Sequence, residues 1–449
     1  MPRLPPRSLP GSDKQVHCRQ CNHGAMSDPT VTPGLDGLLP DGAAVAGADL
    51  VLGGIPAAEL ARTFGTPLVV YDESTLRAQA RTYHSAAPGA LIVYGTKAFP
   101  SVAVLRLLGE EGLGADVSTV GELEFARRAG IAGERLVVHG NNKEDELLRL
   151  AAAEDALLVV DSLPEAERAS AAGVRRTLVR VTPGIEADTH EAVKTAHHGS
   201  KFGLAPDDAL AAVRSLPSCV GLHVHVGSQL LHLGAALMTV DWVAAFAARL
   251  RGDLGWTPEI IDLGGGLGVR HVLEEPNIPI VDFVRGLTGE LQRAWSLHDL
   301  PDVDLILEPG RSIVSRAGVT LYSVGGVKDT GTATRYVTID GGMSDNPRPA
   351  MYGARYTAIL ANRADESPSG AFAVAGKHCE SGDVLIERVE LPEPRRGDLI
   401  AIPVTGAYTL AMSSTYNAVP RPAAVLVADG RATLIRRRET VDDLLALEA

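Results

Sequence analysis

The chain contains few cysteines and few aromatic residues. Among its 449 residues there are four cysteines, Cys18, Cys21, Cys219 and Cys379, and aromatic residues account for 4 %. Four scattered cysteines in a chain of this length do not form the dense framework of a disulfide-stabilised secreted protein. With so few aromatic side chains, the core has to be built from Ala, Val and Leu. We therefore expect a protein of the reducing cytoplasm with an aliphatic core.

The sequence also lacks an excess of positive charge and a long apolar run. Asp and Glu number 55 against 42 Lys and Arg, which gives a formal net charge of −13. Nucleic acids and anionic membranes bind basic surfaces, so neither is an expected partner. The longest uncharged stretch, between Arg214 and Asp241, contains several glycines and histidines and is too polar for a membrane span. The Pro- and Arg-rich start has no apolar run, so no signal peptide is expected.

Residues 1–46 precede the regular part of the chain. The first 26 residues are rich in Pro and Arg without a periodic apolar pattern, so we expect a disordered tail over 1–46. His17, Cys18, Cys21 and His23 look like metal ligands. A zinc site usually needs a second ligand pair at a structured distance, and none is evident, so no metal is expected.

From about residue 68, short apolar runs alternate with helical stretches. The runs are 90–97, 113–118, 135–141, 156–162, 176–183, 220–228, 259–266 and 304–311. Near-continuous apolar strands that alternate with helices are typical of parallel strands covered by helices. Eight such units over about 220 residues favour a closed (β/α)8 barrel over an open sheet. We predict this barrel, an α/β architecture, over residues 74–315.

After the barrel the pattern changes to short strands separated by Gly, Pro and charged turns. The strand-like segments are 318–328, 335–340, 371–377, 383–390, 398–402 and 423–436. This pattern predicts a second, mainly antiparallel β domain. The apolar segment 67–72 precedes the barrel and can join the same sheet. We therefore expect a β domain built from both chain ends, 47–73 and 316–449, with the barrel inserted between them.

Polar residues stand at the C-terminal ends of the predicted barrel strands, where barrel enzymes place their chemistry. They are Lys97, Ser118, His139 with Asn141, Arg180, His225 with Ser228, Gly264–Gly266, and Glu308 with Arg311. Lys97 closes an apolar strand. A lysine that is desolvated there has a lowered pKa and can act as a nucleophile that forms a Schiff base.

Three further strand-end features point to the same cofactor. Gly264–Gly266 can expose backbone N–H groups to a phosphate, and Arg311 can bind an anion with its planar fork. Glu308 beside an aromatic ring nitrogen would keep that nitrogen protonated. Each signal is weak alone, because a strand-end lysine is usually structural and three glycines can form a flexible loop. Together with Lys97 they describe a pyridoxal phosphate site.

These residues lie in a series of motifs that resembles the diaminopimelate decarboxylases. That family belongs to the pyridoxal-phosphate fold type that also holds alanine racemase and ornithine decarboxylase. The resemblance runs from about residue 47 to 445. The motifs that carry it include YGTKAF (94–99), HGNNK (139–143), GLHVHVGSQ (221–229), DLGGGLGVRH (262–271), EPGRSIVSRAG (308–318), DGGMSDNPRPAMYGARY (340–356), KHCESGD (377–383) and PVTGAYTLAMSSTYN (403–417).

The resemblance implies cofactor roles for individual residues. Lys97 matches the lysine that holds pyridoxal 5'-phosphate as a Schiff base, and His225 matches the histidine that stacks on its ring. Glu308 matches the partner of the pyridine nitrogen. The other implied cofactor ligands are Ser228, Gly264, Gly265, Gly266, Gly310, Arg311 and Tyr408.

The resemblance also implies substrate ligands and a second subunit. The matching substrate positions are Arg311, Arg348, Tyr352, Glu380 and Tyr408. The two arginines and Tyr352 would hold the distal carboxylate, and Glu380 the distal ammonium. Cys379 matches the proton donor, which makes Lys97, Cys379 and His225 the implied catalytic residues. In the family, the CESGD motif comes from a partner chain, so a homodimer with shared active sites is expected.

The activity implied is decarboxylation of meso-2,6-diaminopimelate to L-lysine and carbon dioxide, the last step of lysine biosynthesis. One alternative is a related decarboxylase of carboxynorspermidine, ornithine or arginine, although Arg348 disfavours the last two, which have no distal carboxylate. A second is a non-catalytic relative, which the presence of Lys97, Glu308 and Cys379 disfavours. A third is a racemase, which would need a base on each face of the cofactor.

Overall fold

The N-terminal part of the fold consists of short strands and one helix. The structure is a computed structural model that describes residues 16–17, 35, 37–185 and 200–449. The first elements are β1 (Val16–His17), β2 (Ala43–Ala46), β3 (Asp49–Leu52), β4 (Ile55–Pro56), α1 (Ala57–Phe64) and β5 (Leu68–Asp72). Strands β2, β3 and β4 form a small antiparallel sheet of their own.

Residues 37–46 belong to the folded protein, which corrects one expectation. Leu38 is fully buried and clusters with Leu35 and Val404, and β2 pairs with β3. Burial of these leucines supplies the apolar contact that a disordered tail lacks. The prediction of disorder is therefore wrong for residue 35 and for 37–46. Residues 1–15, 18–34 and 36, with Cys18, Cys21 and His23 among them, lie outside the described residues.

A closed barrel of parallel strands forms the centre of the described structure. Its strands are β6 (Leu91–Gly95), β7 (Gly114–Val117), β8 (Leu136–Val138), β9 (Leu157–Val160), β10 (Thr177–Arg180), β11 (Cys219–His223), β12 (Ile260–Asp262) and β13 (Asp304–Leu307). Each strand pairs with the next in sequence, and β13 closes the barrel on β6. Aliphatic side chains such as Val93, Val137 and Leu178 fill the interior, as the apolar runs predict.

Helices cover the outside of the barrel. They are α2 (Glu73–Ala86), α3 (Val102–Glu110), α4 (Val120–Ala129), α5 (Asp145–Ala153), α6 (Leu163–Ala171), α7 (Pro206–Ser215), α8 (Gly234–Leu254), α9 (Ile280–Leu297) and the single turn α10 (Arg311–Val314). Local sequence sets their ends. Thr119 caps the N-terminus of α4, where its hydroxyl accepts the N–H of Glu122, and Gly130 caps the C-terminus in the left-handed conformation. Across residues 37–185 and 200–449, no helix combines the length and apolarity that crossing a bilayer requires.

The second domain of the described structure is built mainly from β-strands. Its later elements are β14 (Gly318–Asp329), β15 (Arg335–Ile339), α11 (Arg348–Tyr352), β16 (Ile359–Leu360), β17 (Gly370–Ala375), β18 (Val384–Leu391), β19 (Leu399–Pro403), β20 (Ala423–Ala428), β21 (Arg431–Arg436) and α12 (Val441–Leu445). Strand β14 is central and pairs antiparallel with β5, β15 and β19. Strand β5 also pairs in parallel with β20, so both chain ends enter one sheet.

The predicted fold class is confirmed, with one difference in detail. The (β/α)8 barrel is present, and a mainly antiparallel β domain is built from both chain ends. The segment 423–436 is a hairpin of β20 and β21 and not one strand. Asp429 and Gly430 turn the chain with positive φ angles of 48° and 71°. Adjacent positive φ angles are typical of tight hairpin turns, in which Asp-Gly is a preferred pair.

Candidate active site

The C-terminal mouth of the barrel brings the strand-end residues together. Parallel strands all point the same way, so residues that follow them meet at one edge although they are distant in sequence. Lys97 contacts Asp116, Arg311 contacts Ser228, and Gly265 contacts His225. The β domain adds Tyr408, whose ring lies 4.6 Å from the Arg311 guanidinium carbon. The candidate site therefore lies where the barrel meets the β domain.

Lys97 is presented by a single 3₁₀ turn, Thr96–Ala98, directly after β6. Its Nζ donates a hydrogen bond to Asp116 Oδ2 at 3.0 Å, and its side chain is 55 % exposed to the barrel mouth. Desolvation in the mouth lowers the pKa of Lys97, but Asp116, Tyr408 and Glu308 raise it above the ordinary value. Solvent access moderates the shift. The predicted lowering of this pKa is wrong, because Asp116, Tyr408 and Glu308 together outweigh desolvation, which is the largest single effect.

Glu308 lies in a buried cluster of ionisable side chains. Its Oε1 is in close contact with His139 Nε2, and its Oε2 lies 3.6 Å from His223 Nε2. One ligand atom from each of His139, His223, Asp262 and Glu308 lies within 4.8 Å of the others. Two imidazoles and two carboxylates are a donor set that a divalent metal accepts, and the same charges suit a protonated ring nitrogen.

The pKa values of the two carboxylates in this cluster, Glu308 and Asp262, are shifted in opposite directions. Burial raises the pKa of Glu308, but His139 and His223 more than reverse that effect and hold it well below the usual range. Burial and the neighbouring Glu308 charge raise the pKa of Asp262 well above its usual range. Asp262 is fully buried and accepts the N–H of Gly264 at 2.8 Å. Within the pair, the negative charge is therefore favoured on Glu308 and disfavoured on Asp262.

Arg311 has the features of an anion ligand. Its Nη2 donates to Ser228 Oγ at 3.1 Å, while Nε and Nη1 are buried without a hydrogen-bond partner within the described part of the chain. Burial lowers the pKa of Arg311 to about 10, which still leaves the guanidinium charged at neutral pH. Buried, unpaired guanidinium N–H groups are costly unless an anion accepts them. The site thus fits a phosphate or carboxylate at this point.

The glycine loop follows β12 and approaches its neighbours too closely for side chains. A Cβ on Gly265 would lie 2.2 Å from the Glu308 carbonyl oxygen, and one on Gly266, at φ +104°, would lie 2.5 Å from the Gly227 carbonyl oxygen. The N–H of Gly264 bonds to Asp262, and that of Gly265 bonds to His225 Nδ1 at 3.3 Å. Two of the three N–H groups expected to face a phosphate therefore have protein partners.

His225 and Gly310 border this loop. Burial lowers the pKa of His225 well below its usual value, with Arg180 and Lys97 adding to the effect. A neutral ring agrees with Nδ1 acting as an acceptor for Gly265. Gly310 precedes α10, and a Cβ there would lie 3.1 Å from the Gly95 carbonyl oxygen. The Gly310 contact packs the segment after β13 against the end of β6, while Gly265 packs against Glu308 of the same segment.

Arg348 and Tyr352 come from helix α11 of the β domain. Arg348 Nη1 contacts His271 Nε2 at 2.7 Å and the Tyr356 hydroxyl at 2.6 Å. Arg348 is buried, and its charge lowers the pKa of Arg311, which places the two guanidinium groups in one neighbourhood. Tyr352 also acts on Arg311, raising its pKa. Two buried cations that act on each other electrostatically favour an anionic group nearby.

Cys379 and Glu380 lie apart from these residues. The Cys379 backbone N–H bonds to Asn417 Oδ1 at 3.0 Å, and Glu380 accepts a hydrogen bond from the Tyr416 hydroxyl at 3.4 Å. Both residues are exposed. Within residues 37–185 and 200–449, no hydrogen bond or ion pair joins either side chain to Lys97. The structure therefore brings together the barrel-mouth residues, Arg348, Tyr352 and Tyr408, but not the Cys379–Glu380 pair.

Asp383 fixes the loop that carries Cys379. Its carboxylate accepts the His378 backbone N–H and ring Nδ1, both at 2.8 Å, and the Met343 N–H at 2.6 Å. The His378 ring in turn stacks on Tyr416 at 5.7 Å. Residues 377–383 are thus anchored to the segment that precedes Arg348.

Sequence reasoning missed Asp116, Asp262 and His271. Asp116 lies within β7 and Asp262 ends β12, both buried positions in apolar strands. A carboxylate in the middle of such a strand is costly unless it is paired, and that signal could have identified Asp116. His271 offers no comparable local signal, because its partner Arg348 is 77 residues away in sequence.

The class of protein follows from the barrel, its polar mouth and one family comparison. Residues 73–315 match the family described as "Pyridoxal-dependent decarboxylase, pyridoxal binding domain". This span begins with α2 and ends just after α10, so it contains the barrel and its strand-end residues. The fold and site define a pyridoxal-dependent decarboxylase.

Relatives that match nearly the whole chain identify a narrower family within this class. A diaminopimelate decarboxylase from Actinosynnema pretiosum subsp. auranticum is 46 % identical over 93 % of this chain and 97 % of its own length. The crystal structure of diaminopimelate decarboxylase from M. jannaschii with L-lysine has a TM-score of 0.85 at 31 % identity, covering 91 % of this chain and 98 % of that one. A lysine/ornithine decarboxylase from Vibrio vulnificus, complexed with putrescine, has a TM-score of 0.72 at 26 % identity, covering 83 % and 97 %. This chain belongs to the diaminopimelate decarboxylase family.

Proposed function

We propose that this protein decarboxylates meso-2,6-diaminopimelate to L-lysine and carbon dioxide, the last step of lysine biosynthesis, with pyridoxal phosphate as cofactor. The observation that carries the proposal is the pair of neighbouring buried arginines, Arg311 and Arg348, at the barrel mouth that holds Lys97. An amino acid with a second, distal carboxylate suits that pair of cations. Few cysteines and family membership support a cytoplasmic location.

Pyridoxal phosphate, when bound, supplies an aldehyde for amines and a ring that accepts the electron pair left by carbon dioxide. The residues that would hold it are Lys97, His225, Ser228, Gly264, Gly265, Gly266, Glu308, Gly310, Arg311 and Tyr408. The unpaired N–H groups of Arg311 fit its phosphate, and ionised Glu308 fits its protonated ring nitrogen. His225, which is partly buried and has a pKa well below its usual value, would pack on the ring without adding a competing charge.

Asp116 would influence the protonation state of Lys97. The raised pKa leaves the lysine as an ammonium in the resting protein, and an ammonium has no lone pair to offer a carbonyl carbon. Asp116 Oδ2, 3.0 Å from Nζ, stabilises that ammonium, so it limits the fraction of neutral lysine that can capture the cofactor. The same contact would hold the Lys97 side chain in the barrel mouth whenever it is not bonded to the cofactor.

The substrate would be oriented by charge at its distal end. Arg311, Arg348 and Tyr352 would hold the distal carboxylate, and Glu380 the distal ammonium. Cys379 would donate a proton to the substrate carbon after carbon dioxide leaves. Ligands that lack the distal carboxylate would leave buried guanidinium groups unpaired, which lowers their affinity.

A homodimer is part of the proposal. Cys379 and Glu380 are exposed in the single chain, on a loop that Asp383 holds in a fixed position. An exposed, rigid loop that carries a thiol and a carboxylate is suited to complete the site of a second chain across a two-fold interface. The exposure of both residues supports this arrangement.

The deciding experiment measures carbon dioxide released from meso-2,6-diaminopimelate by the purified, pyridoxal-phosphate-loaded protein. Carboxynorspermidine, ornithine, arginine and lysine serve as competing substrates. We expect release from diaminopimelate well above the others. The Lys97→Ala variant should lose both this activity and the long-wavelength absorbance of lysine-bound pyridoxal. Preferred turnover of another amino acid, or a colourless wild type after cofactor addition, would refute the proposal.

A further inference from the structure

We propose that His271 is a positioning residue for the substrate's distal carboxylate, because it accepts a hydrogen bond from Arg348 and so fixes the direction of the guanidinium. The inference rests on the proposed function, since it assigns Arg348 the same ligand. It concerns a residue outside the motif positions that contact cofactor or substrate.

The contact joins the two domains. His271 lies on the loop after β12, a few residues beyond the glycine loop, whereas Arg348 begins α11. His271 Nε2 lies 2.7 Å from Arg348 Nη1, and the Tyr356 hydroxyl lies 2.6 Å from the same nitrogen. The His271 and Tyr356 rings meet edge to face at 5.2 Å. All three residues are buried, so water does not compete for these bonds.

The hydrogen bond between Arg348 and His271 fixes which imidazole nitrogen carries the proton. A guanidinium has donors only, so His271 Nε2 has to act as the acceptor and carries no proton. The proton of the neutral ring is therefore on Nδ1, which faces Glu275 Oε2 at 3.7 Å. The same Glu275 oxygen accepts the His271 backbone N–H at 2.7 Å. The Arg348 contact thus sets the tautomer, and the nearby Glu275 carboxylate favours a proton on the Nδ1 side of the ring.

The charges around the ring agree with this state. Burial is the main cause that lowers the pKa of His271, to about 4, and the Arg348 and Arg311 cations act in the same direction. Glu275 acts in the opposite direction. His271 therefore stays neutral at physiological pH and does not add a third cation to the arginine pair.

These contacts would hold the Arg348 guanidinium in place before the substrate binds. Arg348 uses Nη1 for His271 and Tyr356, so its Nε and Nη2 groups are the ones that would bind the carboxylate. A guanidinium that is already held by two acceptors loses less conformational freedom when it binds a carboxylate. Removal of the His271 acceptor would also leave a buried Arg348 N–H with one partner fewer.

The test compares His271→Leu, which removes the acceptor, with His271→Gln, whose amide oxygen can replace Nε2. Both variants are loaded with pyridoxal phosphate and assayed with diaminopimelate. We expect KM to rise on the order of tenfold in His271→Leu, with a smaller change in kcat, and to stay within about threefold of wild type in His271→Gln. An unchanged KM in His271→Leu would overturn the inference.

D-Lysine provides the control for a general structural effect. It presents a D-configured amino-acid centre and a distal ammonium but no distal carboxylate. Its affinity, read from the change in cofactor absorbance, should be the same in wild type and both variants. An equal loss of affinity for D-lysine and diaminopimelate would assign His271 a general structural role and overturn the inference.

A double-mutant cycle gives a second, independent readout. Arg348→Ala should raise KM by itself, and His271→Leu should add little in that background, because the residue that it positions is gone. Additive effects would contradict the inference. If His271→Leu does not load cofactor, His271→Asn replaces it, because the shorter amide withdraws the acceptor from Arg348. A wild type that does not turn over diaminopimelate would overturn the proposed function and this inference with it.

Discussion

Single residues set the charge state of the site. Lys97 lies in the barrel mouth, where desolvation alone would favour a neutral amine, yet the facing Asp116 carboxylate raises its pKa. Glu308 and Asp262 share one buried cluster, and their pKa values shift in opposite directions, because the His139 and His223 rings lie directly against the Glu308 carboxylate oxygens. The partner within about 4 Å, and not burial alone, decides each protonation state.

The Asp116→Asn variant tests this view of Lys97. Asp116 raises the lysine pKa, so its removal lowers that pKa and increases the fraction of neutral amine at a given pH. The pH dependence of cofactor capture should therefore shift to lower pH. The measurement is the rate at which long-wavelength absorbance appears when pyridoxal phosphate is added to cofactor-free protein at several pH values. Identical profiles for variant and wild type would contradict the assigned role of Asp116.

The thiol of Cys379 is the second residue-scale prediction. Cys379→Ala should lower kcat by roughly 100-fold or more while cofactor absorbance is retained, because a proton donor is lost and no cofactor ligand is removed. Cys219→Ala is the matched control, since Cys219 is a buried cysteine at the start of β11. It should keep wild-type kcat. A normal kcat in Cys379→Ala would remove this thiol from the mechanism.

At the scale of elements, the glycine loop shows how backbone packing shapes the site. Its residues approach the carbonyl groups of Glu308 and Gly227 so closely that a side chain cannot be added without movement. The loop also holds His225 through the N–H of Gly265. Local sequence indicates a loop after a strand, but the close approach arises from the neighbouring β13 segment.

Gly265→Ala should therefore weaken cofactor binding and lower the thermal midpoint, with a cost of roughly 1–3 kcal/mol from overpacking. Gly289→Ala is the control, because Gly289 lies on α9 with nothing within 4 Å of an added Cβ. Alanine there should raise helix stability by about 0.5–1 kcal/mol. The comparison is made by thermal unfolding and by titration with pyridoxal phosphate. Equal cofactor affinity in the two variants would show that the close approach has no role.

At the scale of the whole molecule, both domains contribute residues to the candidate site. Lys97 and Arg311 come from the barrel, and Arg348 and Tyr408 come from the β domain. The Tyr408 N–H bonds to the Ala98 carbonyl oxygen at 2.9 Å, beside Lys97. The net charge of −13 belongs to the molecule as a whole, while these arginines and Lys97 make the mouth locally cationic.

The proposed homodimer makes a prediction at this scale. Lys97→Ala and Cys379→Ala protomers should each be inactive as homodimers. Mixed dimers would contain one site with both native residues, so random mixing should restore about a quarter of wild-type activity. The measurement is carbon dioxide release after the two variants are unfolded and refolded together. If each chain completed its own site, the mixture would stay inactive.

Much of the fold could be predicted because its signals are local. Apolar runs that alternate with helical stretches gave the barrel, and short strands between turns gave the β domain. The N-terminal boundary was wrong because Leu35 and Leu38 are too few to form a pattern, and their burial depends on Val404 from the other end of the chain. The sequence did not indicate Asp116 as the partner of Lys97, because Asp116 comes from the next strand and the contact forms only in the folded barrel.

The sequence by itself determined which polar groups stand at the ends of the barrel strands. Parallel strands then had to bring Lys97, Glu308 and Arg311 to one edge. Only the tertiary structure decided the charges that these groups carry and the contacts that aim them. Coulomb energy, desolvation and hydrogen bonds depend on distances through space. The short distances from Lys97 to Asp116 and from His271 to Arg348 exist only in the folded chain, because these residues are far apart in sequence.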